Sequence, residues 1–464
     1  MTAAEATPQL DFPEEAAHSD RAFLGHPKGL GYLGVVEGCE RFSYYSMQTL
    51  LTLYMVKYLL VPGRQESVIG LEWLKTHLFS GLEGQPLASE IFGTYTALVY
   101  LTPILGGLLA DLLLGRRAAL IAGAVIMSLG HFLMAFEGAF LLALLSLVIG
   151  VGLFKGNIAS QVGELYGAND IRRAMAFQIF YIFINVSVIA APLISGTLGE
   201  KIGWHWGFGA AGVVMVIGLL IYLAARPWLP ADKPRTAKSD QPRVKFEPGD
   251  GARLAAVLVL VPILGFSLLT NQQIFNAYLV WADQQFQLTF MGTTLPTSWM
   301  ITLDATLSFS MLVAVAAFWA FVGKRTGKEP DELGKMILGC VFILGGALCL
   351  YMAALTQGTG KIGLFWPVMF HLVNSIGFSH LLPVSLALFT RLAPRALNAS
   401  IVGIYYLAFF GANLAVGKIG TLFETMPTTQ FWLLHAGTAM VGLVGFGLFK
   451  LLLAKRLMGA PKPA

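Results

Sequence analysis

Apolar residues run through this chain in long blocks, about 20 to 30 residues each, rather than in the narrow 3.6-spaced stripes or alternating pattern of a water-soluble fold. Twelve such blocks are read, at 30–60, 91–114, 118–136, 138–166, 174–198, 207–225, 254–282, 298–322, 334–356, 363–391, 398–423 and 429–451. Each is long enough to cross the ~30 Å hydrocarbon core of a bilayer as a helix. Strands of a membrane barrel would be half that length and would alternate. The pattern therefore predicts an all-α polytopic membrane protein. Residues 226–252 form the one long polar linker within the apolar region, and they divide the spans six and six. The expected organisation is a cytoplasmic tail (1–29), an N-terminal six-helix bundle (30–225), a cytoplasmic linker (226–252), a C-terminal six-helix bundle (253–452) and a cytoplasmic tail (453–464).

Composition agrees. The chain is 56% hydrophobic, only 12% charged, and has a mean hydropathy of +0.68; a soluble domain carries about a quarter charged residues. The net charge of +5 raises the possibility of a nucleic-acid partner, but the basic residues are dispersed over short loops, as topology requires. Placing the N-terminus inside collects most of the 31 Lys and Arg in the cytoplasm, so both termini are expected there, in a plasma or inner membrane. Residues 1–29 lack the apolar stretch of a cleavable signal, and the first span is expected to direct its own insertion. Cys39, Cys340 and Cys349 lie in apolar spans without metal-ligand spacing and read as packing residues. In the outer loop 61–90, Leu71, Trp73, Leu74, Leu78 and Leu82 suggest a short amphipathic helix lying on the membrane surface.

The first span breaks the apolar rule. It reads Glu37-Gly-Cys-Glu40-Arg41-Phe-Ser-Tyr44-Tyr45, and at ~100° per residue Glu37, Glu40, Arg41, Tyr44 and Gln48 fall on one helix face. Residues three and four apart are neighbours, so Glu37 reaches both Glu40 and Arg41. Ionisable groups inside a span are costly and mark ion or substrate paths.

This nonapeptide closely resembles the Glu-x-x-Glu-Arg-Phe-x-Tyr-Tyr signature of the proton-dependent oligopeptide transporters, a branch of the major facilitator superfamily. Two six-helix halves meeting at a central site is the architecture that the resemblance implies. Other stretches share it. Gly106-Gly107-Leu-Leu-Ala110-Asp111-Leu-Leu-Leu-Gly115-Arg116-Arg117 looks like the superfamily's loop between spans two and three, with Leu112 where Arg is common; it implies a cytoplasmic gating role for Asp111 and Arg116. Phe154-Lys155-Gly156-Asn157 places Lys155 opposite the first-span carboxylates, as in the family. A contact between such charges at ~4 Å is worth on the order of 4 kcal/mol before desolvation, so protonating one Glu would reshuffle the partners. Phe180-Tyr181-Ile-Phe-Ile-Asn185 resembles the family's span-five signature. Tyr44, Tyr45, Tyr100, Tyr181, Asn185 and, in span eleven, Tyr405 are expected to line the cavity.

The second half departs from the family. Gln272 stands where many relatives have a span-seven carboxylate, and Asp304-Ala305 replaces Asn-Pro in span eight. In span ten, Gly377-Phe378-Ser379-His380-Leu-Leu-Pro383 replaces Gly-Glu-x-x-x-x-Pro, so Phe378 stands at the Glu expected to receive a peptide's amino end. Phe offers an ammonium only its π face. His371 and Asn374 lie on the same face, and His380 reads as a packing residue. The histidine of span two in some members is Gly93 here, which leaves titration to carboxylates.

The resemblance implies a proton-coupled symporter of di- or tripeptides or peptide-like substrates, working by alternating access. Glu37, Glu40, Arg41 and Lys155 would carry coupling. Arg41 and Lys155 would attract a carboxylate, and Gln272, Asp304, Asn374 and Phe378 would face the substrate from the other half. The alternative is a proton-coupled transporter of a non-peptide organic anion or N-modified peptide, because the span-ten Glu is gone. No nucleophile with its base, metal pair or phosphate loop is seen, so no enzyme, metal or cofactor is expected beyond the proton as coupling ion. The expected partners are the substrate, protons and lipid, with no nucleic acid, and the protein is expected to be a monomer.

Overall fold

The computed structural model describes residues 20–167, 170–231, 246–397 and 400–454. Parts of the expected N-terminal tail, linker and C-terminal tail lie outside the described residues. Long helices account for the apolar blocks: α1 (Lys28–Tyr54), α2 (Gly84–Leu109), α3 (Arg116–Leu133), α4 (Phe140–Glu164), α5 (Arg172–Ala191), α6 (Trp204–Ala225), α7 (Asp250–Gln272), α8 (Trp299–Thr326), α9 (Glu332–Leu355), α10 (Phe365–Leu392), α11 (Ile401–Gly420) and α12 (Thr428–Phe449). Among the described residues, 11 helical segments are long and apolar enough to cross a membrane. The helix outside that set is α1, which has 27 residues. Length is not its problem; its charged and polar stripe lowers its hydropathy.

Two groups of six follow from the packing. In the first, α1 lies against α5 and α6, α2 against α4, and α3 against α4 and α6; in the second, α9 lies against α10 and α12, α7 against α11 and α12, and α8 against α10. In a bilayer, helices associate by close packing rather than by expelling water, and small residues allow the approach. A Cβ on Gly106 of α2 would sit 2.0 Å from the Gly152 carbonyl oxygen of α4, so this pair of helices touches backbone to backbone. The halves meet along α2 against α11 and α5 against α8, with α1 touching the continuation of α7.

Several helices change pitch where their chemistry demands it. Pro192 has no N–H to give, and there α5 passes into a π-helical turn, Pro192–Gly196, before a last turn, Thr197–Lys201. The α7 helix breaks at Asn276 and resumes as Ala277–Gln285. A short helix, Leu71–His77, does form in the loop after α1; it buries Leu71 and leaves Trp73 exposed. One boundary differs from expectation: α2 starts at Gly84 rather than near 91. The polar run Gln85, Ser89, Glu90 reads as loop in sequence, yet it is helical and buried because each side chain finds a partner, as described below.

Candidate functional site

No proline interrupts α1, and its charged stripe lies buried halfway along it. The helical spacing does what it predicts: Arg41 forks onto Glu40, with Nη2 donating to Oε1 at 2.7 Å and Nε donating to Oε2, while Arg41 Nε also lies 3.3 Å from Glu37 Oε1. Glu40 is fully buried and both its oxygens are engaged. Glu37 is nearly as buried, but its Oε2 has no partner. The two acids therefore differ: Glu40 is held as a bidentate ion pair, whereas Glu37 has one weak contact and one bare oxygen. The guanidinium also lies 5.0 Å from the Tyr44 ring centre, and the buried Tyr44 hydroxyl has no partner.

Lys155 does not complete the network as a direct bridge. Among the described residues it forms no ion pair; its Nζ sits 4.9 Å from the ring centre of Tyr100 and 5.4 Å from that of Tyr406. The reason is position: on α4 the side chain meets the aromatic wall of α2 and α11, where Tyr100 stacks on Phe409 with ring centres 4.9 Å apart. This cation is left without a carboxylate of its own.

The other expected residues fall into two sets. Tyr45 stands edge to face with Tyr44 and near Phe275 of the opposite half. Tyr181 is 42% exposed, and Asn185 donates from Nδ2 back to the Tyr181 carbonyl at 2.8 Å, leaving its Oδ1 available. Tyr405 is buried and shares a 3.0 Å hydrogen bond with Ser385. Gln272 is buried at the end of α7 and Phe378 is half-buried on α10. Asn374 is fully buried without a hydrogen bond, and it packs against Gly346 of α9, which places it on the supporting side of α10. Asp304 is engaged by His371, Oδ1 accepting from Nδ1 at 2.9 Å. Asp111 and Arg116 meet at 3.3 Å, and Arg116 also holds Glu164 at 2.5 Å. These join the ends of α2, α3 and α4 within one half; in this conformation they do not bridge the two. His380 accepts from Trp319 Nε1 at 3.0 Å and donates to the Ile376 carbonyl, a packing role.

A set of polar contacts not singled out in the sequence joins the halves near the Tyr54 end of α1. Lys57 pairs with Asp283 at 2.7 Å, and Glu90 of α2 with Lys418 of α11 at 2.5 Å. Ser89 donates to Asn276 Oδ1 at 3.0 Å, and Gln85 to the Gly420 carbonyl at 3.1 Å. Glu200, after α5, accepts from the backbone N–H groups of Thr297 and Ser298, each at 2.8 Å, satisfying the start of α8 with a favourable charge at its dipole. At the opposite end Arg116 pairs with Glu164, Arg391 with Glu332 and Lys450 with Asp331, each within one half. The signal for the clasp was present as charged residues at span ends, Lys57, Glu90, Asp283 and Lys418, but their pairing needs the fold.

Two six-helix halves, clasped at one end around a buried charged centre with aromatic and amide walls, define a membrane transporter of the major facilitator fold. The comparisons with known proteins narrow this. Residues 117–243 match the POT family. A peptide transporter of Yersinia enterocolitica is 29% identical over 86% of this chain and 88% of its own length, and a di-/tripeptide transporter of Lactococcus lactis subsp. cremoris is 26% identical over 95% and 98%. A crystal structure of a mutant peptide transporter POT with alafosfalin superposes at a TM-score of 0.80, 27% identical and covering 96% of this chain and 98% of that one. Over nearly its whole length the chain is thus similar to peptide transporters of the POT family, which are transporters and not enzymes.

Proposed function

We propose that this protein is a proton-coupled symporter of di- or tripeptides or peptide-like substrates, working by alternating access. The observation that carries the reading is the inequality of the two acids on α1. A buried carboxylate with an unpartnered oxygen is costly while ionised, so Glu37 is the group that gains by taking a proton, and Glu40 holds Arg41 meanwhile. When a substrate carboxylate enters, Lys155 and Arg41 are the cations that receive it, and Asn185 Oδ1 with Tyr181 meets the peptide backbone. The resulting exchange of partners around Arg41 links proton occupancy to substrate occupancy.

The clasp supports alternating access, because its ion pairs and hydrogen bonds hold the halves together at one end. In the orientation expected from the Lys and Arg distribution, the clasped end is outside and the central site opens toward the cytoplasm. A driving membrane potential would add ~2.3 kcal/mol per charge per 100 mV to inward movement.

A second reading, transport of an organic anion or N-modified peptide, is favoured by Phe378. The cations for a carboxylate are in place on α1 and α4, whereas α10 presents an apolar ring where an ammonium would need an acid. Purified protein in liposomes with an inward proton gradient separates the two. Accumulation of an unblocked dipeptide, with proton entry, is expected; uptake of N-blocked dipeptides or simple carboxylates alone would replace the first reading with the second.

A further inference from the structure

The charges of the two halves balance differently. Around α1, the two carboxylates, Glu37 and Glu40, are matched in number by two cations, Arg41, which they hold, and Lys155, which lies over the Tyr100 and Tyr406 rings. In the C-terminal half, Asp304 of α8 is 8% exposed and its bonded partner is an imidazole, His371 of α10, which is fully buried. His371 Nε2 lies 2.7 Å from the hydroxyl of Tyr278, a fully buried residue on the resumed segment of α7. A carboxylate only accepts, so Nδ1 of the ring carries a hydrogen, and the Nε2 of a neutral ring must then accept from Tyr278. Asp304 Oδ1, both ring nitrogens and the Tyr278 hydroxyl are paired, and with Asp304 ionised the group holds one net negative charge in a largely buried place. An unbalanced buried charge is expensive, and a cation is what the site lacks.

Its surroundings offer none. Around Tyr278 lie Phe286, Phe370 and Trp432. From α12, His435 lies behind Trp432, with its Nδ1 occupied by the Phe431 carbonyl. No Lys or Arg forms an ion pair with Asp304 among the described residues; Lys57, on the clasp, is taken by Asp283.

We infer that Asp304, His371 and Tyr278 form a second proton-binding site, in the C-terminal half. A proton adds to Nε2 of His371. The Tyr278 O–H···Nε2 bond is lost and replaced by Nε2–H donating to the same oxygen, the hydroxyl hydrogen turns away, and Asp304 stays ionised as counter-charge to the imidazolium. The site then carries no net charge. Its three residues tie α8 and α10 to segment Ala277–Gln285, and that segment carries Asp283, which holds Lys57 at 2.7 Å and Thr297 at 3.0 Å. Reversing one hydrogen bond thus acts on an element that is itself part of the clasp between the halves.

The role in transport rests on the symporter reading above, but proton binding does not, and it is tested without substrate. Protein labelled with 15N and 13C in histidine, in lipid nanodiscs, is titrated from about pH 4 to 9 by NMR, with His371→Gln assigning the His371 ring among the 8 histidines. The His371 signal is expected to titrate within this range, and Asp304→Asn to lower its midpoint by about one unit or more, a tenfold loss of proton affinity, because the opposite charge is removed. If Asp304→Asn does not fold, Asp304→Glu replaces it, with a displaced midpoint expected because the carboxylate no longer sits squarely on Nδ1. A His371 ring that keeps one protonation state throughout, or whose midpoint is indifferent to residue 304, would overturn the proposal. In liposomes under an inward proton gradient His371→Gln is expected to lose gradient-driven accumulation while retaining exchange of substrate; wild-type accumulation would refute the coupling role. Absence of any peptide uptake by the unaltered protein would instead sink the peptide reading, and the NMR titration would still decide the proton site.

Discussion

Gly93 of α2 faces Gly417 of α11 across the boundary between the halves, and a single methyl there should redistribute the conformations. A Cβ on Gly93 would lie 2.5 Å from Gly417 Cα, 2.6 Å from its nitrogen and 2.7 Å from the Asn413 carbonyl oxygen. All three are backbone atoms and cannot rotate aside. Comfortable carbon contacts begin near 3.5 Å, so the helices must part by about 1 Å. Forced overpacking costs about 1–3 kcal/mol. Gly93 and Gly417 belong to different halves, so the cost falls on conformations in which α2 and α11 touch at this point, the clasped one among them. Gly93→Ala should therefore shift the equilibrium away from the clasped state by roughly 5- to 150-fold. Gly417→Ala is an internal control, since its Cβ would meet Gly93 Cα and the Ser89 carbonyl at a milder 3.1 Å; its shift should be smaller. Pulsed EPR distances between spin labels at Glu66 and Thr359, in a background without the native cysteines, report the separation of the halves at this end. Folded Gly93→Ala protein with an unchanged distance distribution, or a larger shift in Gly417→Ala, would refute the reasoning.

Further outcomes follow from the same geometry. Glu37→Gln should abolish accumulation driven by a proton gradient while exchange persists, and Glu40→Gln should in addition weaken substrate binding, because it releases one side of the Arg41 fork; liposome uptake and counterflow measure both, and equal behaviour of the two variants would contradict their assigned inequality. Lys418→Met leaves the 4% exposed Glu90 without its partner; because the ammonium is largely exposed, the loss is well below the roughly 3–5 kcal/mol of a fully buried pair, and the same EPR labels should show the clasp loosening. Outside the membrane, the Arg172 side chain bonded to Asp170 holds that carboxyl down at about 2. A depressed acid stabilises the folded state above its unfolded value and loses that contribution as pH falls through the folded one. Arg172→Ala should return Asp170 toward 3.8, moving the loss to milder acid, which carboxyl NMR would detect.

The membrane class, the helices and the grouping by six were legible because a bilayer imposes a length and a polarity on each span, and both can be counted along one chain. The α1 cluster was legible for a similar reason: Glu37, Glu40 and Arg41 are neighbours within a single helical turn, so their contact is a local consequence of pitch. The start of α2 was not, since Gln85, Ser89 and Glu90 look like loop residues until Gly420, Asn276 and Lys418 arrive from the other half to satisfy them. Lys155 shows the same limit from the opposite side: its place inside an apolar span could be read, but its aromatic partners come from α2 and α11, and only their convergence sets it over rings instead of carboxylates. Sequence by itself thus determined which residues are polar inside the membrane and which of them share a helix. Tertiary structure decided which of those polar groups meet, because hydrogen bonds and ion pairs act over a few ångströms, and residues as far apart as Glu90 and Lys418 or Asp304 and His371 come within that range only when helices from distant parts of the chain pack.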